Sequence, residues 1–312
     1  MTGGRVVFMG TPDFAVPCLQ AIVAAGYEVC GVVSQPDRPK GRGHKLAPSP
    51  VKEAALALGL PVVTVERVKD PAFLSQLREW APDVAVVVAF GQILPESILQ
   101  APRLGCINVH ASLLPQYRGA APIHRVLING ETRTGVTTMQ MDRGMDTGDI
   151  LLTESVEITP DMTTGQLHDI LSELGAQLIV RTLATAFAGI LQPVPQDSVQ
   201  ASYAPMLDRA LERIDWQKSA QQIHNLVRGL NPWPGAYCIC DNLVLKIWRT
   251  KVIPADGPLT PGRIQAVTTT GLVVETGQDL LELLEVQPEC KRRMGARDCA
   301  CGYCLTPGAI LQ

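Results

Sequence analysis

Aromatic side chains are scarce: Phe, Tyr and Trp make up only 4% of the 312 residues. Single-stranded nucleic acid is usually gripped by rows of stacking rings, so that mode of binding is not indicated. The first turn, Gly10-Thr11-Pro12, lacks the second and third glycines of Gly-x-Gly-x-x-Gly, which argues against a dinucleotide site. There is no Gly-x-Ser-x-Gly elbow, so a covalent acyl-serine is not expected. No apolar run approaches the ~20 residues needed to span a bilayer, and the N-terminus has no apolar signal core. The nine cysteines are odd in number and no secretion signal accompanies them. They read as reduced thiols in a cytoplasm.

What is present is enough for two domains. The length fits that count, and 46% hydrophobic content can fill their cores. The net charge of −3 is unevenly spread. Residues 1–208 hold 15 Lys/Arg against 20 Asp/Glu, and residues 209–312 hold 12 against 10. A net of −5 is thus followed by a net of +2, a weak pointer to a polyanionic partner for the C-terminal part.

The N-terminal part reads as an open parallel sheet of Rossmann-like type. A buried strand at 5–10, a helix over 13–25 and a second strand at 28–34 make a βαβ start. Ser49-Pro50 opens a helix, with Ser as N-cap and Pro at the first helical position. Residues 83–90 are apolar on both faces, as a central parallel strand requires. Helices are expected over 71–80, 120–129 and 163–188. The proline-rich segment 190–207 reads as a linker between a catalytic domain, 1–189, and a C-terminal domain, 208–312. Short runs at 236–240, 243–249, 262–266, 271–276 and 280–286 predict a small OB-like β-barrel there.

The chemistry concentrates at Cys106-Ile107-Asn108-Val109-His110. In a strand, residues two apart share a side, so the Asn108 carboxamide and the His110 imidazole stand together at its end. One donates a hydrogen bond without titrating, and the other titrates nearest neutral pH. Such a pair could hold and protonate an oxygen that turns negative during acyl transfer. A strand-capping His with an Asn serving loop backbone is the plain alternative. Downstream, Gly144 and Gly148 bracket Asp146, which could orient His110 or accept a proton. Spacing alone leaves an ordinary Asp/Gly turn open.

A second unusual stretch is Gln35 to Pro48, too long and too rich in Pro, Gly and charge for a tight connector. Arg38, Lys40, Arg42 and Lys45 make it basic, either as a solvated loop or as an arm for phosphates. Cys290, Cys299, Cys301 and Cys304 form a cluster with a single Cys-x-x-Cys interval, a spacing that does not support a structural zinc.

Four of these segments together resemble the folate-dependent formyltransferase family. They are Asn108-Val109-His110, Ser112-Leu113-Leu114-Pro115, Tyr117-Arg118-Gly119-Ala120-Ala121-Pro122 and Met141-Asp142-Arg143-Gly144-Met145-Asp146-Thr147-Gly148. The resemblance implies 10-formyltetrahydrofolate as co-substrate and Asn108, His110 and Asp146 as catalytic residues. It implies a folate crevice lined by Phe90, Gly91, Ile93, Leu94, Ser112, Leu113, Leu114 and Pro115, and no metal. The loop Pro36-Asp37-Arg38-Pro39-Lys40-Gly41-Arg42-Gly43-His44-Lys45-Leu46 resembles the tRNA-facing loop of those members whose acceptor is initiator methionyl-tRNA. That places Arg38, Lys40, Arg42 and Lys45 against tRNA, in a cytoplasmic monomer that makes N-formylmethionyl-tRNA for translation initiation. A sugar-nucleotide or glycinamide acceptor, simple release of formate, and an inactive RNA-binding module are the competing readings.

Arg42 tests the loop assignment, because flanking glycines free its backbone and a guanidinium forks onto phosphate. Arg42→Ala should weaken use of the tRNA acceptor while leaving folate-dependent formate release near normal. The salt slope of tRNA binding should fall by about one phosphate contact. Equal loss of both activities would assign the loop to shaping the active site.

Overall fold

The computed structural model describes residues 4–40, 45–240 and 243–312. Of the basic loop, Arg42 lies outside the described residues, as do the side chains of Lys40 and Lys45. The chain forms two compact units. The first takes the residues through Ala120, Arg133–Val156 and His168–Ala204; the second takes Ala121–Thr132, Glu157–Leu167 and Pro205–Gln312.

The first unit is built on a seven-stranded sheet. Its order is Val62–Thr64, Glu28–Ser34, Arg5–Gly10, Val84–Val88, Cys106–His110, Arg133–Gln140 and Ile150–Glu157. Val84–Val88 is buried at every residue, as its uninterrupted apolar run demands. It pairs in parallel with Arg5–Gly10 on one side and Cys106–His110 on the other. From Arg5–Gly10 the chain winds outward to Glu28–Ser34, and from Val84–Val88 it winds the opposite way to Cys106–His110. The crevice beyond the strand ends at such a reversal is where open α/β sheets bind ligands. Here Thr11 and Gln35 close in on it, both donating to the Phe90 carbonyl, at 3.1 and 3.3 Å. Beyond Cys106–His110 the sheet departs from the parallel pattern, because Arg133–Gln140 runs antiparallel to it. That pairing sets Thr137 beside His110 and Gln140 beside Ile107, and the turn after Gln140 folds back to bring Asp146 to His110.

The local signals explain the flanking helices. Ser49 caps Pro50–Ala57 by accepting from the Lys52 N–H at 3.1 Å. Asp70 caps Pro71–Trp80, which ends at Ala81 in left-handed backbone, φ 44°. Pro36–Pro48 is not wholly without structure: Arg38–Lys40 and Lys45–Ala47 pair as a short antiparallel ribbon. The helix Thr164–Phe187 corrects the reading that no segment could match a bilayer: its 24 residues are long and apolar enough by length and composition. Scattered Thr and Gly, with Glu173 and Arg181, interrupt its run of apolar letters. Half of that apolar stretch is buried inside the fold, with Leu171, Ile179 and Leu183 fully so.

The second unit holds a six-stranded antiparallel sheet. Its order is Ala236–Cys240, Leu243–Ile253, Leu280–Pro288, Leu272–Glu275 and Ile264–Val267, with Met294–Gly295 added to Leu280–Pro288. The helix Ala220–Gly229 starts with a full capping box between Ser219 and Gln222. It turns Ile223 and Val227 into a core shared with Leu245, Ile247, Leu281 and Leu283. The sheet's two edge strands, Ala236–Cys240 and Ile264–Val267, are joined by the chain's last residues. Ala309 and Gly308 bond Ile264, and Leu311 bonds Gly262, at 2.8 Å each. Gln312 exchanges two bonds with Ile239, at 2.7 and 2.8 Å. The terminal segment therefore closes the sheet into a ring, and Leu311 plugs it at 2% exposure.

Removal of residues 308–312 forfeits the five backbone hydrogen bonds to Ile239, Gly262 and Ile264 and the burial of Leu311. At ~1 kcal/mol per bond and ~2 kcal/mol for the side chain, the loss should be on the order of 7 kcal/mol. Denaturant unfolding of the truncated chain should show it; an unchanged midpoint would mean the ring is held elsewhere.

Candidate active site

Asn108 and His110 lie at the C-terminal end of their strand on one side of the sheet, at 9% and 6% exposure. The strand's alternation places them together, and the apolar residues between and behind them, Ile107 and Val109, are buried. His110 is held by Nε2 on the Tyr117 carbonyl at 3.0 Å. A carbonyl only accepts, so the Nε2 nitrogen carries the hydrogen in that bond and Nδ1 is the nitrogen left for chemistry. Asp146 Oδ2 stands 3.7 Å from Nδ1, too far for a hydrogen bond but close enough to pair with an imidazolium. Among the described residues the Asn108 carboxamide has no hydrogen-bond partner, so its N–H donors are available to a ligand oxygen.

Asp146 sits in left-handed backbone, φ 56°, at the tip of the turn after Gln140. The turn is fixed from within. Asp142 accepts from the Gly144 N–H at 2.9 Å and from Thr147 Oγ1 at 2.7 Å. A Cβ on Gly148 would stand 1.7 Å from the Gln140 carbonyl oxygen, so glycine is required there. From outside, the Gly119 N–H donates to Asp146 Oδ2 at 2.8 Å.

The loop after His110 is equally tied down. Ser112 Oγ donates to the Gln116 carbonyl at 2.6 Å. Thr137 Oγ1 donates to the Ser112 carbonyl at 2.7 Å and accepts from the Leu114 N–H at 3.1 Å. Ser112 and Leu114 are thus buried in the loop's own framework, while Leu113 and Pro115 are half-buried. In the facing loop Phe90 and Leu94 are buried with the core, Gly91 is exposed at φ 84°, and Ile93 is 76% exposed. An exposed isoleucine beside a crevice is the one large apolar surface this loop offers a flat ligand. Of the basic loop, Arg38 is exposed, and Asp37 is neutralised by Lys52 Nζ at 2.8 Å, which leaves the loop's positive charge unopposed at that point.

Three partners escape a reading of the sequence: the Tyr117 carbonyl, the Gly119 N–H and Gln196. The first two are backbone groups, which carry no letter of their own. Tyr117 is left-handed, φ 59°, and nothing in its identity announces that.

Other features do not join this site. A cavity of about 450 Å³ lies at the edge strand Val62–Thr64, lined by Val63, Arg67 and Phe73, away from His110. Cys290, Cys301 and Cys304 are exposed and Cys299 is buried. Burial pushes the Cys18 and Cys106 thiols up to about 12 and Cys299 up to about 11, so these stay protonated at neutral pH. Among the described residues no group of three or more His, Cys, Asp or Glu could hold a metal ion.

An open α/β sheet with an imidazole, a carboxylate and a free carboxamide beyond one strand is the equipment of an enzyme that transfers a group through its carbonyl carbon. The chain belongs to the formyl transferase family: the family's main description matches residues 4–183 and its C-terminal domain matches residues 206–304. It is 51% identical to a methionyl-tRNA formyltransferase of Geobacter metallireducens over 311 residues, covering 100% of this chain and 99% of that one. It is 54% identical to a methionyl-tRNA formyltransferase of Heliobacterium modesticaldum, covering 97% of this chain and 98% of that one. The N-formyltransferase of Helicobacter canadensis, solved with folinic acid and dTDP-3-aminofucose, shares the fold. It is 18% identical with a TM-score of 0.66, over 90% of this chain and 99% of that one.

His110→Ala and Asp146→Ala should each lower formyl transfer by ~10²–10⁴-fold with little change in thermal unfolding. Gly148→Ala should lower it as well, by displacing the turn that carries Asp146. Near-normal turnover in the first two variants would remove them from the catalytic assignment.

Proposed function

We propose that this chain transfers the formyl group of 10-formyltetrahydrofolate to the α-amine of initiator methionyl-tRNA, giving N-formylmethionyl-tRNA for translation initiation. The observation that carries this reading is identity at half of all positions, end to end, with proteins named for that reaction. Its setting is the cytoplasm, where translation starts.

The candidate site supplies what the chemistry needs. The acceptor amine attacks the formyl carbon, and charge grows on the formyl oxygen. Asn108 donates to that oxygen from a site already cleared of competing partners. The new C–N bond forms, the bond to N10 of the folate breaks, and the proton lost by the amine ends on N10. His110 is placed to carry that proton at Nδ1, while Asp146 compensates the imidazolium. Residues Phe90 to Leu94 and Ser112 to Pro115 would hold the folate, chiefly through Ile93, Leu113, Pro115 and backbone groups. Arg38, Lys40, Arg42 and Lys45 would meet tRNA phosphate, and the more basic C-terminal domain would add to that attraction.

Incubation with charged initiator tRNA and labelled 10-formyltetrahydrofolate tests this. Label should pass to the aminoacyl-tRNA, with little free formate. Formate release regardless of tRNA would make the chain a hydrolase. Transfer to an amino sugar nucleotide or to glycinamide ribonucleotide, with none to tRNA, would replace the acceptor.

A further inference from the structure

Gln196 lies in the proline-rich segment 190–207, to which the reaction assigns nothing. Its side chain is half-buried in the first unit and every hydrogen-bonding valence of its carboxamide is used. Oε1 accepts from Arg118 Nε at 3.1 Å and from Arg118 Nη2 at 2.7 Å. Nε2 donates to the Asp146 carbonyl at 2.9 Å and to the Gly148 carbonyl at 2.7 Å. The orientation of this amide is not ambiguous, since a guanidinium can only donate and a carbonyl can only accept.

These bonds close a ring. The Asp146 backbone carbonyl is held by Gln196, Gln196 is held by Arg118, and the residue after Arg118 donates its N–H to the Asp146 carboxylate. Arg118 is 3% exposed, and its charge, directed at Oε1, polarises the amide and strengthens both bonds at Nε2. Its backbone is clamped in turn by the same segment. The Arg118 N–H donates to the Ser202 carbonyl at 2.9 Å, and the Ala204 N–H donates to the Arg118 carbonyl at 2.7 Å. The left-handed backbone of Asp146 costs free energy that must be met by its surroundings, and Gln196 is the side chain that grips that peptide.

We propose that Gln196 is a positioning residue for Asp146, so that the proline-rich segment at the end of the first unit sets the geometry of the catalytic carboxylate. The proposal rests on the assignment of Asp146 above. It also has a reading that needs no substrate, because the Gly119 amide proton reports the Asp146 carboxylate directly.

Gln196→Glu separates positioning from folding. It keeps an acceptor for Arg118, as an ion pair, but turns a second oxygen toward the two carbonyls in place of donors. Gln196→Ala removes all four bonds. Expected for both is a fall in kcat of about 10–100-fold, as small displacements of catalytic groups produce. KM for tRNA and for folate should stay within about twofold, and thermal unfolding of the Glu variant should stay near the parent. The Gly119 amide proton should move upfield in both, by NMR of the unliganded protein. A rise in KM at constant kcat would assign Gln196 to acceptor binding and overturn the proposal. So would an unmoved Gly119 resonance, or full kcat with a shifted one. A shifted Gly119 resonance in the variants of a parent chain that does not formylate tRNA would keep the positioning role and remove the proposed reaction.

Discussion

The candidate site depends on one constraint: two left-handed turns, at Tyr117 and at Asp146, must be held against each other. Neither residue favours that backbone, so each turn stands only if its neighbours fix it. Asp146 accepts the Gly119 N–H, and Gly119 itself, at φ 115°, lies so close to the Ala204 carbonyl that a Cβ would stand 2.9 Å from it. The Tyr117 N–H is met by Ser202 Oγ at 2.9 Å. The segment Gln196–Ala204 is therefore the third wall of the site, beside the strand Cys106–His110 and the turn Asp142–Gly148. Because both backbone groups of Tyr117 and Arg118 and the N–H of Gly119 are paired, the carbonyl that grips His110 and the N–H that grips Asp146 arrive in one rigid piece.

This bears on how far the letters could be read. Apolar runs such as Val84–Val88 announce a buried strand, and Ser49-Pro50 announces a helix start, because the physical cause lies within a few residues. The pairing of Asn108 with His110 was legible for the same reason, since period-two alternation is local. Gly144 and Gly148 marked a turn around Asp146, but not that its carboxylate would stop 3.7 Å short of the ring while the Tyr117 carbonyl held the ring instead. Gln196 was hidden by distance: it sits 50 residues after Asp146, in a stretch whose prolines suggest a plain linker. Prolines bar regular structure without barring a well-bonded extended strap.

The second unit repeats the lesson. Five short strands suggested a barrel, and six pair in one sheet among the described residues. Ring closure comes from residues 308–312, too short and too glycine- and proline-flanked to register as a strand. Gly308, Ala309, Leu311 and Gln312 make these bonds because an edge on either side lacks a partner. An open edge is a template for unwanted pairing, and closure removes both edges at once. The same economy appears at Glu275, 1% exposed, which Arg263 pairs at 2.7 Å and the Thr260 N–H approaches at 2.6 Å. Those donors hold its carboxyl below the usual range despite the opposing effect of burial, so the charge stays on the ring's inner strand at neutral pH.

The orientation of His110 has a consequence for proton flow. With Nε2–H fixed on the Tyr117 carbonyl, the ring can gain and lose a proton only at Nδ1, and it can do so without rotating. In the proposed transfer, the proton that leaves the amine and the one that reaches N10 would therefore pass the same atom, in sequence or through a water at that atom. Asp146 faces that atom but keeps its nearer oxygen bonded to Gly119, so it can stabilise charge there without competing for the proton as a hydrogen-bonded base would. In the proposed reaction Asn108, two residues back on the same side, would donate to the formyl oxygen and not to the shuttle. On that proposal, strand alternation gives charge stabilisation at oxygen and proton transfer at nitrogen to separate side chains, and the Tyr117 carbonyl would keep the roles from exchanging.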